Sequence, residues 1–251
     1  MKDKITFIIQ ARLGSTRMPA KIIKPFYESK SIIQLLLDKL MQYAGCEVVL
    51  ATSTDATNDP LAQIASEYGV SCFRGSENDV LQRFIDAAEY ADARRIIRVC
   101  SDNPLLNEQA IETLLKAAEN SEADYISFMV NQTPSIKTHF GFWTEYVTLD
   151  ALKKVRQLTD EKIYHEHVTN YIYAHPEDFT IEWLPTPECL LGREDIRLTC
   201  DTPVDFQNAQ SVYASIIHAH PHPTIEDIVA YVDAHPQYLQ NMKEEIAKNS
   251  K

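Results

Sequence analysis

Through its first half this chain alternates short apolar runs of strand character with amphipathic helical runs, at intervals of roughly 25 residues, and that rhythm restricts the fold most. Ile5–Ile9, Glu47–Ala51, Val70–Phe73, Arg95–Val99 and Tyr125–Val130 read as strands. Between them, Ile32–Tyr43, Pro60–Tyr68, Val80–Tyr90 and Glu108–Glu119 place apolar residues at helical spacing. Leu35, Leu36, Leu40 and Met41 share one side of the first helical run. Asn58-Asp59 and Asn78 or Asp79 stand where helix caps belong. Strand and helix in strict alternation predict an α/β fold: an open, mostly parallel, Rossmann-like sheet with helices on both faces.

The rhythm breaks after residue 130. Asn131–Gly141 is polar, with a proline and a glycine, and reads as a loop. Thr148–Leu158 and Asp160–Ala174 read as helices, Phe179–Leu184 as a strand and Asp195–Cys200 as the last strand. Val204–His218, Thr224–Ala234 and Gln237–Lys248 read as closing helices, separated by His218–Pro223 and His235-Pro236. No linker and no internal repeat divides the chain, so 1–251 reads as a single domain. Within it, 131–190 is an inserted α+β segment, expected to act as a lid or dimerisation arm, and 204–251 forms C-terminal helices. Phe142, Trp143 and Tyr146 in the insertion are expected to stack on a sugar or to fill a dimer interface.

Composition narrows the partners. Across 251 residues, 36 acidic side chains against 24 basic ones give a net charge of −12, which argues against nucleic-acid binding. An acidic exterior with a local basic pocket suits an enzyme for anionic metabolites. No run approaches the length needed to span a membrane, and the N-terminal apolar run is too short for a signal peptide. The five cysteines show no C-x-x-C pair, so reduced thiols in a cytoplasmic protein are expected and a zinc site is not. His218-Ala-His220-Pro-His222 lies in a proline-rich loop and reads as solvated histidines.

The chemistry is expected to centre on Gln10-Ala-Arg-Leu-Gly-Ser-Thr-Arg-Met-Pro-Ala-Lys21, which follows the first strand directly. Open α/β sheets bind ligands outside the carboxyl ends of their strands. A loop there with three cations (Arg12, Arg17, Lys21), free backbone N–H groups and a Gly14-Ser15 turn suits a polyphosphate. It is neither of the common phosphate loops, since G-x-x-x-x-G-K-[ST] and G-x-G-x-x-G are both absent. Asp102 and Asp201 each follow an apolar run and each precede a proline by two positions. One reading makes each a helix N-cap. The other makes the pair a hard-oxygen site for Mg²⁺, which takes one or two carboxylates together with water and substrate phosphates.

The loop pattern Q-A-R-x-G-S-T-R-x-P-x-K resembles the signature loop of sugar-activating cytidylyltransferases, in the branch typified by spore-coat polysaccharide biosynthesis protein F. CMP-Kdo and CMP-sialic acid synthetases are more distant relatives of that branch. Four further segments resemble the family in order: Arg74–Leu81, Arg98–Leu105, Glu166–Thr169 and Arg197–Pro203. Ala20 departs from it, where the family usually carries glycine. The resemblance implies a fold of the nucleotide-diphospho-sugar transferase type. It implies Mg²⁺ held by Asp102 and Asp201, with Arg12 and Lys21 as catalytic cations on the triphosphate. It further implies nucleotide contacts from Gln10, Ala11, Arg12, Gly14, Ser15, Arg17 and Lys21. Arg74 is placed near the nucleotide by its segment, and Thr52, Ser53 and Ser101 by their positions after strands. Glu145, Glu166, His167 and Arg197 are expected on the acceptor side.

The function implied is a Mg²⁺-dependent transfer of CMP from CTP to a sugar acid or related polysaccharide precursor, by a cytoplasmic homodimer. Two other readings stand beside it. A metal-dependent glycosyltransferase using a nucleotide-sugar donor would commonly carry D-x-D, which this chain lacks. A non-catalytic nucleotide-binding protein would be expected to have lost one of the loop cations or aspartates.

Overall fold

The computed structural model describes residues 4–249; residues 1–3 and 250–251 of the single-domain reading lie outside the described residues. β1 (Ile5–Gln10) is buried almost throughout, as a central strand with parallel neighbours must be. After it come a small antiparallel pair, β2 (Pro25–Tyr27) and β3 (Lys30–Ser31), and α1 (Ile32–Leu40). Ser31 opens α1 with a reciprocal capping box to Gln34, which satisfies N–H groups that the first turn leaves unpaired. β4 (Glu47–Ser53), α2 (Asp59–Tyr68), β5 (Ser71–Gly75), α3 (Val80–Tyr90), β6 (Arg95–Cys100), α4 (Glu108–Asn120) and β7 (Tyr125–Val130) complete the alternating half. Asp79 caps α3 by accepting from the Gln82 N–H, one of the two caps expected.

The remainder runs β8 (Thr133–Pro134), β9 (Glu145–Thr148), α5 (Leu149–Leu158), α6 (Lys162–Glu166), α7 (Asn170–Ala174), β10 (Ile181–Leu184), α8 (Pro203–Ala219), α9 (Ile225–Asp233) and α10 (Pro236–Asn249). The main sheet has the order β10-β7-β9-β6-β1-β4-β5, with β8 added to β7. β5, β4, β1 and β6 are mutually parallel, and β10 is parallel to β7. β9 runs antiparallel between β6 and β7. The mostly parallel α/β sheet is therefore as expected.

Period-two burial separates two cores. Phe7 and Ile9 of β1 point to one face, with α1, α2, α4, α8 and α9. Ile8 points to the other, with α3, α5 and α7. From β1 the chain steps outward through β4 to β5, then returns to place β6 on β1's opposite edge. That reversal makes the carboxyl ends of β1 and β6 a topological switch point, where this class of sheet opens a crevice.

Three expectations need correction. The segment 131–190 is not set apart from the sheet, because it supplies β9, which is hydrogen-bonded to strands on both sides. Phe142 and Tyr146 lie in the core, away from solvent and from the cavity at the strand ends. Asp195–Cys200 is extended but joins no ladder: Leu198 and Thr199 donate to the His139 carbonyl, and Cys200 donates to that of Asp102. Ile196, Leu198 and Cys200 join the apolar core while Arg197 between them is buried against Asp201 and Asp205, so this extended segment crosses the strand ends covered on both sides. Asp160–Ala174 is not one helix. It breaks at His167–Thr169, where the Thr169 hydroxyl turns inward to Glu145.

Phe7 is fully buried on the central strand, its ring 5.7 Å from that of Tyr43. Phe7→Ala is expected to lower unfolding stability by about 3–5 kcal/mol, read from urea denaturation midpoints.

Candidate active site

The loop after β1 is built from its buried anchors. Leu13 and Met18 are buried among the core side chains, and the backbone between them is tied back. The Ser15 and Ala20 N–H groups both donate to the Leu13 carbonyl. Asn58, expected as a cap for α2, instead accepts from the Leu13 N–H at 2.8 Å and donates to Ser53 Oγ at 2.8 Å. Pinned at Leu13 and Met18, the loop directs Arg12, Arg17 and Lys21 into a cavity of about 1120 Å³ at the switch point. Ala20 takes the left-handed conformation, with φ of 57°, which turns the chain so that Lys21 points inward. Glycine would adopt this conformation without strain.

Lys21 is nearly buried, and its ammonium meets both aspartates. Nζ lies 3.4 Å from Asp102 Oδ2 and 3.6 Å from Asp201 Oδ1, and it donates to the Cys200 carbonyl. Arg17 Nη2 reaches the same Asp201 oxygen at 2.9 Å. Arg197, fully buried, donates to Asp201 at 3.1 Å and forks onto Asp205 at 2.8 and 2.9 Å. Burial alone would raise the Asp201 carboxyl, but Lys21, then Arg17 and Arg197, hold it below the ordinary carboxylate range. His139 accepts from Arg197 across 2.9 Å, and burial, then that guanidinium, push its imidazole down toward the neutral form. Neither aspartate is a helix cap. Thr202 caps α8, with Asp205 closing the box, and Asn107 caps α4.

Arg12 is held loosely across the cavity mouth, 3.9 Å from Glu77 and 4.0 Å from Glu166. At those distances, and with its side chain over a third exposed, the guanidinium is available to an incoming anion. Cys100 lies on the cavity wall beneath Asp102; burial raises its thiol to about 11, so it stays protonated at neutral pH. The five cysteines are free, Cys200 fully buried and the others partly so.

Gln10, Arg12, Gly14, Ser15, Arg17, Lys21, Ser101, Asp102 and Asp201 all line this cavity, as do Glu166, His167 and Arg197. Five other positions are brought elsewhere. Ala11 is a core residue, its N–H committed to the Ala51 carbonyl. Thr52 and Ser53 are wholly buried, and Ser53 Oγ serves Asn58 and the Asp55 N–H. Arg74 ties β5 to the loop after β4, donating to the Ser53 and Asp55 carbonyls and pairing with Asp59. Glu145 is also displaced: its carboxylate is enclosed by Arg98, Tyr125 and Thr169.

The cavity also has lining that the sequence reading missed. Lys137, Thr138 and His139 bring the 131–141 loop over it, and Asn170 and Tyr173 bring in α7. Trp143, one of the three aromatics expected to stack on a sugar or fill a dimer interface, reaches the wall but is stacked on Phe128 within the core. A polar loop holding Lys137 and His139 was the signal available, and nothing local tied it to the first loop. Gly141, with φ of 74°, lets this loop approach the 198–199 backbone, where an added Cβ would sit 3.2 Å from the Leu198 carbonyl carbon.

Two carboxylates and three cations at a switch point face a large cavity, an arrangement whose charges suit a polyphosphate. The cytidylyltransferase family model matches residues 6–231, and the chain belongs to that family of nucleotidyltransferases. It is 32% identical to spore coat polysaccharide biosynthesis protein SpsF of Bacillus subtilis, over 84% of this chain and 87% of that one. It is 26% identical to a 3-deoxy-manno-octulosonate cytidylyltransferase of Agrobacterium fabrum, over 84% of this chain and 96% of the relative. Its fold superposes on a cytidylyltransferase from Leptospira borgpetersenii with a TM-score of 0.78 at 27% identity, covering 95% and 97% of the two chains. No helix among the described residues is long and apolar enough to cross a membrane.

Ala20→Gly would relieve the left-handed strain at that position. It is expected to raise stability by about 1 kcal/mol, read as a higher denaturation midpoint at unchanged denaturant slope.

Proposed function

We propose that this chain transfers a cytidylyl group from CTP to a sugar acid or a related polysaccharide precursor and releases pyrophosphate. The observation that carries the reading is Lys21, shared by Asp102 and Asp201 at the end of the cationic loop. Family membership supports CTP as the donor, and the kinship to a 3-deoxy-manno-octulosonate cytidylyltransferase supports a sugar acid as acceptor.

In this reading an acceptor oxygen attacks the α-phosphorus in line. A new O–P bond forms, the bond from the α-phosphorus to the bridging oxygen breaks, and the pyrophosphate carries that electron pair away. The acceptor hydroxyl gives up its proton to solvent. Such transfers need positioning and charge stabilisation more than covalent help. Arg12, Arg17 and Lys21 hold the triphosphate and stabilise the charge that builds on the leaving group. Gln10 and Ser101 bound the nucleotide side of the cavity, and Glu166, His167, Asn170 and Tyr173 the acceptor side.

Asp102 and Asp201 suit Mg²⁺ chemically. They are hard oxygen donors that share the Lys21 ammonium, with Arg17 and Arg197 also on Asp201, and no third His, Cys, Asp or Glu joins them in a metal-holding group among the described residues. A site with two carboxylates leaves the remaining positions to phosphate oxygens and water, which is how Mg²⁺ is usually held. When bound, the ion would supply further positive charge to the phosphates.

Isothermal titration with each nucleoside triphosphate and Mg²⁺ tests the reading. CTP is expected to bind selectively, and Lys21→Ala to weaken it at least tenfold, about 1.4 kcal/mol or more. Absence of CTP binding to the wild-type protein would sink the proposal.

A further inference from the structure

Glu145 is 1% exposed and is not among the residues lining the cavity, yet three separate stretches of chain converge on its carboxylate. It accepts from three elements: Arg98 Nη1 on β6 at 3.1 Å, the Tyr125 hydroxyl on β7 at 3.0 Å, and Thr169 Oγ1 at 2.8 Å. Arg98 in turn donates through Nη2 to Gln10 Oε1 at 3.3 Å, at the point where the cationic loop begins. Gln10, Arg98 and Thr169 all line the cavity. A bonded chain therefore runs under its floor, from the nucleotide loop to the break between α6 and α7. Glu166 lies just before that break and His167 within it, and Asn170 and Tyr173 follow Thr169.

Stability is a poor explanation for this chain. Two charges taken out of water lose several kcal/mol of solvation, and apolar residues of the same volume commonly stabilise as well or better. The arrangement is also incomplete as a fold device, since Arg98 Nε is buried with no hydrogen-bond partner among the described residues. What it secures is distance: β9 runs against its neighbours, and its buried carboxylate fixes the 166–173 wall to the strand that launches the cationic loop. The surrounding charges favour one arrangement. Arg98 is the cation in contact with Glu145, and the neighbouring hydroxyls of Tyr125 and Tyr173 are both pushed upward, first by burial and then by Glu145.

We propose that Glu145 is a positioning residue for the transfer, coupling the nucleotide loop to the acceptor wall through Arg98 and Thr169. The inference rests on the nucleotide reading of the cavity. Occupation of the loop by CTP is then felt at 166–173 before any acceptor arrives.

The test is hydrogen exchange with and without CTP and Mg²⁺, on the wild type and on Thr169→Val, which removes one hydroxyl and keeps the shape. In the wild type, CTP is expected to slow exchange in both 11–21 and 166–173. In Thr169→Val, CTP affinity should stay within about threefold and protection of 11–21 should persist, while protection of 166–173 is lost. CTP-induced protection of 166–173 that survives in the variant, or that is absent from a wild type that binds CTP, overturns the proposal. A wild type that binds no CTP instead overturns the nucleotide reading, and this inference falls with it. If Thr169→Val does not fold, the double variant Arg98→Met/Glu145→Leu removes both charges together. It is expected to match or exceed wild-type thermal stability while losing the 166–173 response. A stable double variant that keeps the response shows a pair that only holds the fold.

Discussion

A lysine ammonium nearly withdrawn from water is the constraint around which the site is arranged. Lys21 can be buried only because Asp102, Asp201 and the Cys200 carbonyl reach it from two other stretches of chain. Each of those stretches needs its own support. Asp102 stands just past β6, beside β1 in the sheet. Asp201 arrives on an unpaired extended segment, held by N–H bonds to His139 and Asp102 and by the buried Arg197 fork. Lys21 itself points inward through a left-handed alanine. Moving any one of these leaves buried charge uncompensated, which is far more costly than losing a surface ion pair.

The same cluster reads as a site waiting for an anion. Asp201 is contacted by three cations, and Arg12 stands at the cavity mouth with only distant carboxylates. Arg12 and Arg17, the loop cations with over a third of their side chains exposed, suit a polyanion that would draw them toward itself. A local concentration of cations within a chain of net charge −12 also focuses field toward the crevice.

Much of this was legible in the sequence, for identifiable reasons. The alternating half follows from local periodicity, which also defines the strand ends where the loop cations and Asp102 sit, while Asp201 ends an extended run that only resembles a strand. What failed depends on long-range pairing. Asp195–Cys200 is extended and largely buried like a strand but has no ladder partner among the described residues, and only the whole sheet could show that. Thr52 and Ser53 extend past the last residue of β1 that pairs with β4, and the register turns them into the interior. Glu145 is a lone acid in an aromatic run, and its three partners lie 47, 20 and 24 residues away. β9 was hidden because its reversed direction is set by neighbours on both edges. Residues 137–139 reach the cavity through a glycine-dependent close approach to another loop.

The most direct measurement is a crystal structure of the protein grown with CTP and Mg²⁺. The account predicts phosphate oxygens within hydrogen-bond reach of Arg12, Arg17 and Lys21. It also predicts a metal ion coordinated by Asp102 and Asp201. Nucleotide density elsewhere on the molecule, or phosphates in this cavity with Asp102 and Asp201 still bound only to Lys21 and the arginines, would contradict it.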